Sequence, residues 1–207
     1  MPIPWSRLFG LLCASLLACA CSTTPAPIVS DWRNPAYSSD SFKRIMVGSL
    51  SGDHSVRRNF EDEFVAQLRA VGVDALPSYR FTEGEKIDEA MLKETAQKAR
   101  ADGLLFARLI KTEEKTQYGQ TGLPYTTLGI FGDNAGISWS GLGGGTTVTR
   151  YNEYVSETTL QDLGKNEIVW AGTIRTTQPD NVQAGIRSYV DAVMKTLRER
   201  NLIRKAE

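Results

Sequence analysis

The chain is poor in the residues on which most chemistry at neutral pH depends. It has three cysteines and one histidine in 207 residues. Cys13, Cys19 and Cys21 all fall within the first 21 positions, so the remainder carries no thiol. An internal disulfide, a cysteine nucleophile and a thiolate metal site are therefore excluded from the body. With His54 the single imidazole, a metal would need oxygen ligands, and no run of spaced Asp and Asn resembles a calcium loop. No metal site and no cofactor is expected. An excess of charge of one sign is missing too. Lys plus Arg and Asp plus Glu number 24 each, and basic residues alternate with acidic ones, as across residues 86–100. A phosphate-tracking surface needs positive charge concentrated on one face, so nucleic acid is not an expected partner. Nor is there a helical membrane span, which takes about 20 apolar residues. The apolar stretch at residues 8–18 has 11 and then gives way to Ser, Thr and Pro.

That stretch, with Arg7 before it, has the charge and length of a signal peptide. Leu16-Leu17-Ala18-Cys19 resembles the bacterial lipobox, in which a Leu and small residues precede an obligatory Cys. The resemblance implies that residues 1–18 are a removed leader, that the Cys19 sulfur carries a diacylglyceryl group and that the new amine is acylated. Several acyl chains hold a protein at a bilayer, which makes the membrane a partner through the N-terminal lipid. Cys21 is the alternative lipidation site, although its register lacks the Leu; ordinary secretory cleavage near Ala18-Cys19-Ala20 is the competing reading. Ala20 rather than Asp follows Cys19, which by resemblance to the enterobacterial sorting rule points to the outer membrane, facing the periplasm. Residues 19–40 read as a lipidated N-terminus and flexible tether, with Trp32 as a residue that docks the tether on the domain.

Residues 41–207 are expected to form a single α/β (α+β) domain. Hydrophobic residues make up 41% of the chain and charged ones 23%, enough for a sizeable core. Residues 42–50 are predicted as a buried opening strand. The following helix carries Phe60, Phe64, Leu68 and Val71 on one stripe, with Arg57, Glu61 and Arg69 on other faces. A short strand at residues 73–79 contains Pro77, which places it at a sheet edge. A second helix spans 87–100, closed by Asp102-Gly103, and a long strand runs from 103 to 116. Right-handed crossovers would put both of these helices on one face. Strands at 148–160 and 167–177, joined at 162–166, extend the sheet antiparallel, with Ile168, Trp170 and Ile174 on one side. A last helix after Pro179, with Asp180 as N-cap and Gln183 completing a capping box, buries Val182, Ile186, Val190, Val193 and Leu197. The order is β-α-β-α-β-β-β-α, giving a mixed five-stranded sheet with helices packed mainly on one face.

Between the third and fourth strands, residues 118–146 form a glycine-rich insert that is also too apolar for a solvated spacer. Connections this long are usually functional or disordered. Tyr125, Phe131 and Trp139 within it are the candidate contacts for a partner or ligand.

No catalytic residue is expected. Asp53-His54-Ser55 holds the residue types of a hydrolase triad, but three successive side chains diverge, so a helix cap is the better reading. Gly141-Leu142-Gly143-Gly144-Gly145 lacks the following helix and Lys of a phosphate cradle and reads as a loop tip. Glu61-Asp62-Glu63 and Glu113-Glu114 read as solvated faces rather than acid/base dyads.

The lipobox, the opening strand, the helix leading into Val73-Asp74-Ala75, and the late hairpin around Leu160-Gln161-Asp162 and Ile168-Val169-Trp170-Ala171-Gly172 resemble a group of small bacterial lipoproteins of unknown function. The element order is also similar to the periplasmic domain of the curli-secretion lipoprotein family. The resemblance implies an α/β sandwich without an established catalytic residue. The expectation is a non-catalytic, membrane-anchored interaction or envelope-assembly module with an envelope protein partner. The alternatives are a subunit of an oligomeric secretion pore of the curli type, for which only residues 137–140 alternate as membrane strands do, and a small-molecule or glycan-binding lipoprotein.

Overall fold

The computed structural model describes residues 28–38, 42–82, 87–121, 126–131, 134–139, 145–177 and 181–203. The strands are β1 (Ile28–Arg33), β2 (Arg44–Ser49), β3 (Asp74–Pro77), β4 (Gly103–Thr121), β5 (Thr126–Phe131), β6 (Asn134–Trp139), β7 (Gly145–Asp162) and β8 (Glu167–Thr177). The helices are α1 (His54–Ala70), α2 (Glu89–Lys98) and α3 (Val182–Glu199), with a 3-10 turn at Ser78–Arg80. The mixed α/β class is as expected. The main sheet has six strands in the order β1-β8-β7-β4-β2-β3, and β5 and β6 pair separately as a hairpin.

The sixth strand comes from the segment read as tether. Ile28–Arg33 pairs antiparallel with β8, Trp32 opposite Ala171 and Arg33 opposite Trp170. Trp32 itself is half exposed. Backbone pairing and Asp31 hold the segment instead: the Asp31 carboxylate accepts from Trp170 Nε1 at 3.3 Å and from Arg200 at 2.8 and 2.9 Å. One carboxylate thus joins β1, β8 and the end of α3.

The two faces of the sheet are covered by different helices, which corrects the expectation that α1 and α2 share a face. The chain runs from β2 through α1 to β3 on one side of β2, then through α2 to β4 on the other. Right-handed crossovers taken in opposite directions put their helices on opposite faces. Accordingly Phe60, Phe64, Val65 and Leu68 of α1 pack with Ile45, Val47 and Leu105, whereas Leu92 and Ala96 of α2 pack with the intervening Met46, Leu104 and Phe106. α3 joins the α1 side through Ile186, Val190, Val193 and Leu197. Each fully buried Leu, Ile or Phe here contributes about 1.5–3 kcal/mol. β3 lies at the sheet edge, where Pro77 costs no ladder bond.

Local signals explain the element ends. Asp53 caps α1, its Oδ1 accepting from Ser55 N at 2.8 Å and Val56 N at 3.1 Å. Asp88 caps α2, and Asn181 rather than Asp180 caps α3, accepting from Ala184 N at 3.2 Å. All three helices end in a left-handed residue, Gly72, Arg100 and Asn201, with a 6→1 bond from the next amide. Gly103 is therefore not the α2 cap but the first residue of β4. Asp102 instead accepts from Lys43 N and Arg44 N at 2.8 and 2.9 Å, tying the start of β2 to that of β4.

A bulge in β8 alters the expected face pattern. Leu160 pairs with Trp170 and Gln161 with Ile168, leaving Val169 extra. Val169 and Trp170 both enter the core, and Ile168 turns outward to 44% exposure. The Trp170 indole lies across Gly172, where an added Cβ would meet the ring at 2.5 Å.

Candidate functional site: a crevice and a projecting arm

β2 ends, and its parallel pairing with β4 stops at Ala107, beside a crevice of about 510 Å³. Its floor is Ser49 at the end of β2, Leu50 after it, and Ala107 to Leu109 of β4; Ser156 of β7 and Thr176 of β8 extend it, and α1 and α3 wall it with Val56, Phe60, Ile186 and Tyr189. A crevice beyond the carboxyl ends of parallel strands is the usual ligand position in open α/β sheets. The lining is chiefly apolar and holds no carboxylate, and Arg108, its one charged residue, is bound to Glu157 at 2.5 Å. Tyr189 shares a hydroxyl hydrogen bond of 2.6 Å with Thr158, and burial pushes its phenol well above the usual tyrosine range. These groups can bind apolar matter; they offer no acid or base poised near neutrality.

Behind this wall sits a buried ion pair. Glu61 is fully buried, which corrects its reading as part of a solvated acidic face. Its Oε1 accepts from Arg57 Nε at 2.9 Å, Ser78 Oγ at 2.8 Å and Ser49 N at 3.1 Å; Oε2 accepts from Tyr79 N at 2.9 Å. Arg57 Nη2 donates to Ser78 Oγ at 2.9 Å and Thr82 Oγ1 at 2.6 Å. The i,i+4 spacing of Arg57 and Glu61 was visible in the sequence; that their side of α1 is covered by the turn after β3 was not. The network is saturated, so it fixes the end of β2 rather than offering a reactive group. Asp53-His54-Ser55 likewise resolves into capping, Ser55 Oγ donating to Asp53 Oδ1 at 2.9 Å. Asp53 lies below the usual carboxylate range, chiefly through the Val56 amide. Among the described residues no cluster of three or more His, Cys, Asp or Glu could hold a metal.

The second feature is an arm. β4 pairs with β2 only from Gly103 to Ala107 but with β7 as far as Thr121 opposite Gly145. β8 ends at Thr177, opposite Glu153. From Glu114 outward the ribbon is two strands wide, eight residues on β4, or roughly 26 Å at the usual rise. Its base is ringed by ion pairs. Glu113 binds Lys111 and Lys115, which hold its carboxyl down to about 2, and Arg175 binds Glu153 at 2.6 Å. Beyond this collar charge almost disappears: between Lys115 and Arg150 the only charged residue is Asp133.

The insert is thus largely strand. β5 and β6 pair over their whole length, Thr126 opposite Trp139 and Phe131 opposite Asn134. The register puts Phe131 and Trp139 at opposite ends of the hairpin. Tyr125 lies outside the described residues, as do Cys19 and Cys21. What the sequence reading missed is the pairing of Leu128 with Ile137 and Ile130 with Ala135. The alternation in residues 126–131 was the available signal.

The crevice and arm define an α/β sheet domain with a two-stranded extension. No protein-family model and no curated protein matches the chain. Among solved structures it is similar to the PelC dodecamer from Paraburkholderia phytofirmans, at 16% identity and TM-score 0.45, over 81% of this chain and 94% of that one. It is also similar to lipoprotein GNA1162 from Neisseria meningitidis, at 14% identity and TM-score 0.38, over 75% and 98%. Likenesses at this level assign the chain to neither group.

Proposed function

We propose that the protein is a lipid-anchored lipoprotein of the bacterial envelope, most consistent with the outer membrane facing the periplasm, and that it acts as a non-catalytic interaction and assembly module. The observation that carries this reading is the free edge of β4. From Leu109 to Thr121 it has no neighbour on the β2 side among the described residues. Exposed edges are normally blunted by Pro, Lys or bulges, because their unpaired N–H and C=O groups recruit other strands. Residues 116–121 carry neither charge nor proline. Lys111, Lys115 and the bulge after Leu109 blunt the first part of this edge, and the open run of residues 116–121 suits the addition of a strand from an envelope protein. The lipobox at Cys19 supports the anchor.

The test is photo-crosslinking in the native cell from Gln117, in the full chain and in a chain lacking residues 119–145. A discrete partner captured by the full chain and lost on deletion supports the reading; an unchanged partner set overturns it. The crevice favours a second reading, an apolar small-molecule site. A ligand present at a hundredfold its Kd would add about 2.7 kcal/mol to unfolding stability, measurable as a thermal shift.

A further inference from the structure

We propose that the crevice between α1 and α3 is the seat of one acyl chain of the protein's own N-terminal lipid. The inference rests on the anchored-lipoprotein reading for the existence of that lipid; the seat itself follows from the described residues.

The lining decides what kind of molecule fits. Val56, Phe60 and Ile186 form the walls, and Leu109 and Val182 line the crevice while more than half exposed to water. No carboxylate, amide or lysine side chain lines it; Arg108 is bound to Glu157, and the Tyr189 hydroxyl is engaged with Thr158. Pockets for polar ligands place a few such groups against them, and here the free polar groups are hydroxyls: Ser51, Ser156, Thr176 and Thr177, none of them buried. A site of this kind recognises hydrocarbon, with hydroxyls left to donate to the carbonyl that ends an acyl chain. Its volume of about 510 Å³ lies within the roughly 300–1,000 Å³ of small-ligand pockets. Room is also kept by Gly185, which lines the crevice from α3, where Ala would favour the helix more.

The topology decides where that chain comes from. Ile28 is registered with Ile174, Ile174 with Ser156, and Ser156 with Leu109. Ser156 and Leu109 both line the crevice, so the first residue of β1 stands two strands from its floor, roughly 10 Å at the usual spacing. From Ile28 back to Cys19 is nine residues, which extend to at most roughly 30 Å. The attachment point is within reach of the mouth. A ligand held on so short a tether is present at an effective concentration on the order of millimolar, an advantage that no free lipid has. The diacylglyceryl group and the acylated amine together carry three chains, and two are enough for stable anchoring, so one can be seated without loss of the anchor.

The test supplies cells making the full chain with a palmitic acid analogue that bears a photoreactive diazirine and enters the N-terminal lipid. After irradiation the chain is purified and its crosslinks are read by mass spectrometry. The Cys19 peptide should be joined through its acyl chain to peptides carrying Val56, Ser156 or Ile186, at monomer mass on a denaturing gel. Ser156 lies two residues from Thr158, whose hydroxyl meets Tyr189, and so faces the helices. Ser156→Phe should therefore fill the crevice from its floor and reduce the product at least about tenfold, the cost of overpacking an occupied site. Gly185→Leu should do the same from the wall, and dichroism with a thermal melt shows whether each variant is folded; the crosslink map of the unsubstituted chain needs neither. An acyl chain joined only to other lipid overturns the proposal. So does a crevice peptide joined to a whole phospholipid, which would mean a free-lipid site, a product at dimer mass, which would mean a second copy, or a product that survives both substitutions in folded protein. The anchor is read separately: an N-terminus without lipid refutes the lipoprotein reading, whereas a lipidated chain with no crevice product refutes the seat alone.

Discussion

Replacing Glu61 by Ala should be among the most damaging single changes in the domain. The substitution leaves the guanidinium of Arg57, 3% exposed, without its counter-charge, and it orphans the amides of Ser49 and Tyr79, both of which donate to Glu61. Breaking a buried pair by removing one partner costs about 3–5 kcal/mol, because the remaining charge must be held away from water. Stability of small domains is itself only about 5–15 kcal/mol, so the variant should sit near the edge of folding. In urea, with a slope of about 2 kcal/mol/M, the midpoint should fall by roughly 1.5–2.5 M. Glu94→Gln is the control. Its partner Lys98 is also at i,i+4, but the pair is exposed, and its removal should leave the urea midpoint almost unchanged. If Glu61→Ala costs no more than Glu94→Gln, the carboxylate is solvated and the burial argument is wrong. Arg57→Met combined with Glu61→Ala should be less damaging than the sum of the two single changes, since the orphaned charge is gone.

Three further outcomes are expected. Gly172→Ala should destabilise by about 1–3 kcal/mol through overpacking, with a shift in Trp170 emission, because the new methyl would meet the indole at 2.5 Å. Asp53→Ala should lower the midpoint of a denaturant titration through loss of the α1 cap, by less than Glu61→Ala does. The bond from Arg200, then that from Trp170, lowers the Asp31 carboxyl in the fold, so its stabilisation is complete above the unfolded-state value of 3.8 and is lost as pH falls through the lower folded value. Asp31→Asn should flatten the acid limb of a stability-against-pH curve, and an unchanged limb would refute that role.

Much of the domain was legible in the chain because its signals are local. The stripe Phe60, Phe64, Leu68 marks α1, Asp53 marks its start, and Pro77 places β3 at an edge. Ile28–Arg33 was not legible as a strand. Its polar, proline-flanked composition resembles a tether, and it becomes ordered only because β8 presents an open edge and Trp170 and Arg200 converge on Asp31. Glu61 was misread for the same kind of reason, since what covers it is a turn 17 residues further along.

By itself the sequence determined the confinement of every thiol to the first 21 residues, the class of fold and the presence of an apolar, glycine-rich insert. Those depend on residue types and on periods of two and 3.6 residues, which need no knowledge of neighbours. Tertiary structure decided which face α2 covers, which carboxylates are buried, and that the insert continues a long β4–β7 ribbon from the end of the sheet where β1 begins. These depend on strand order and register, and both are set by contacts between residues far apart in the chain.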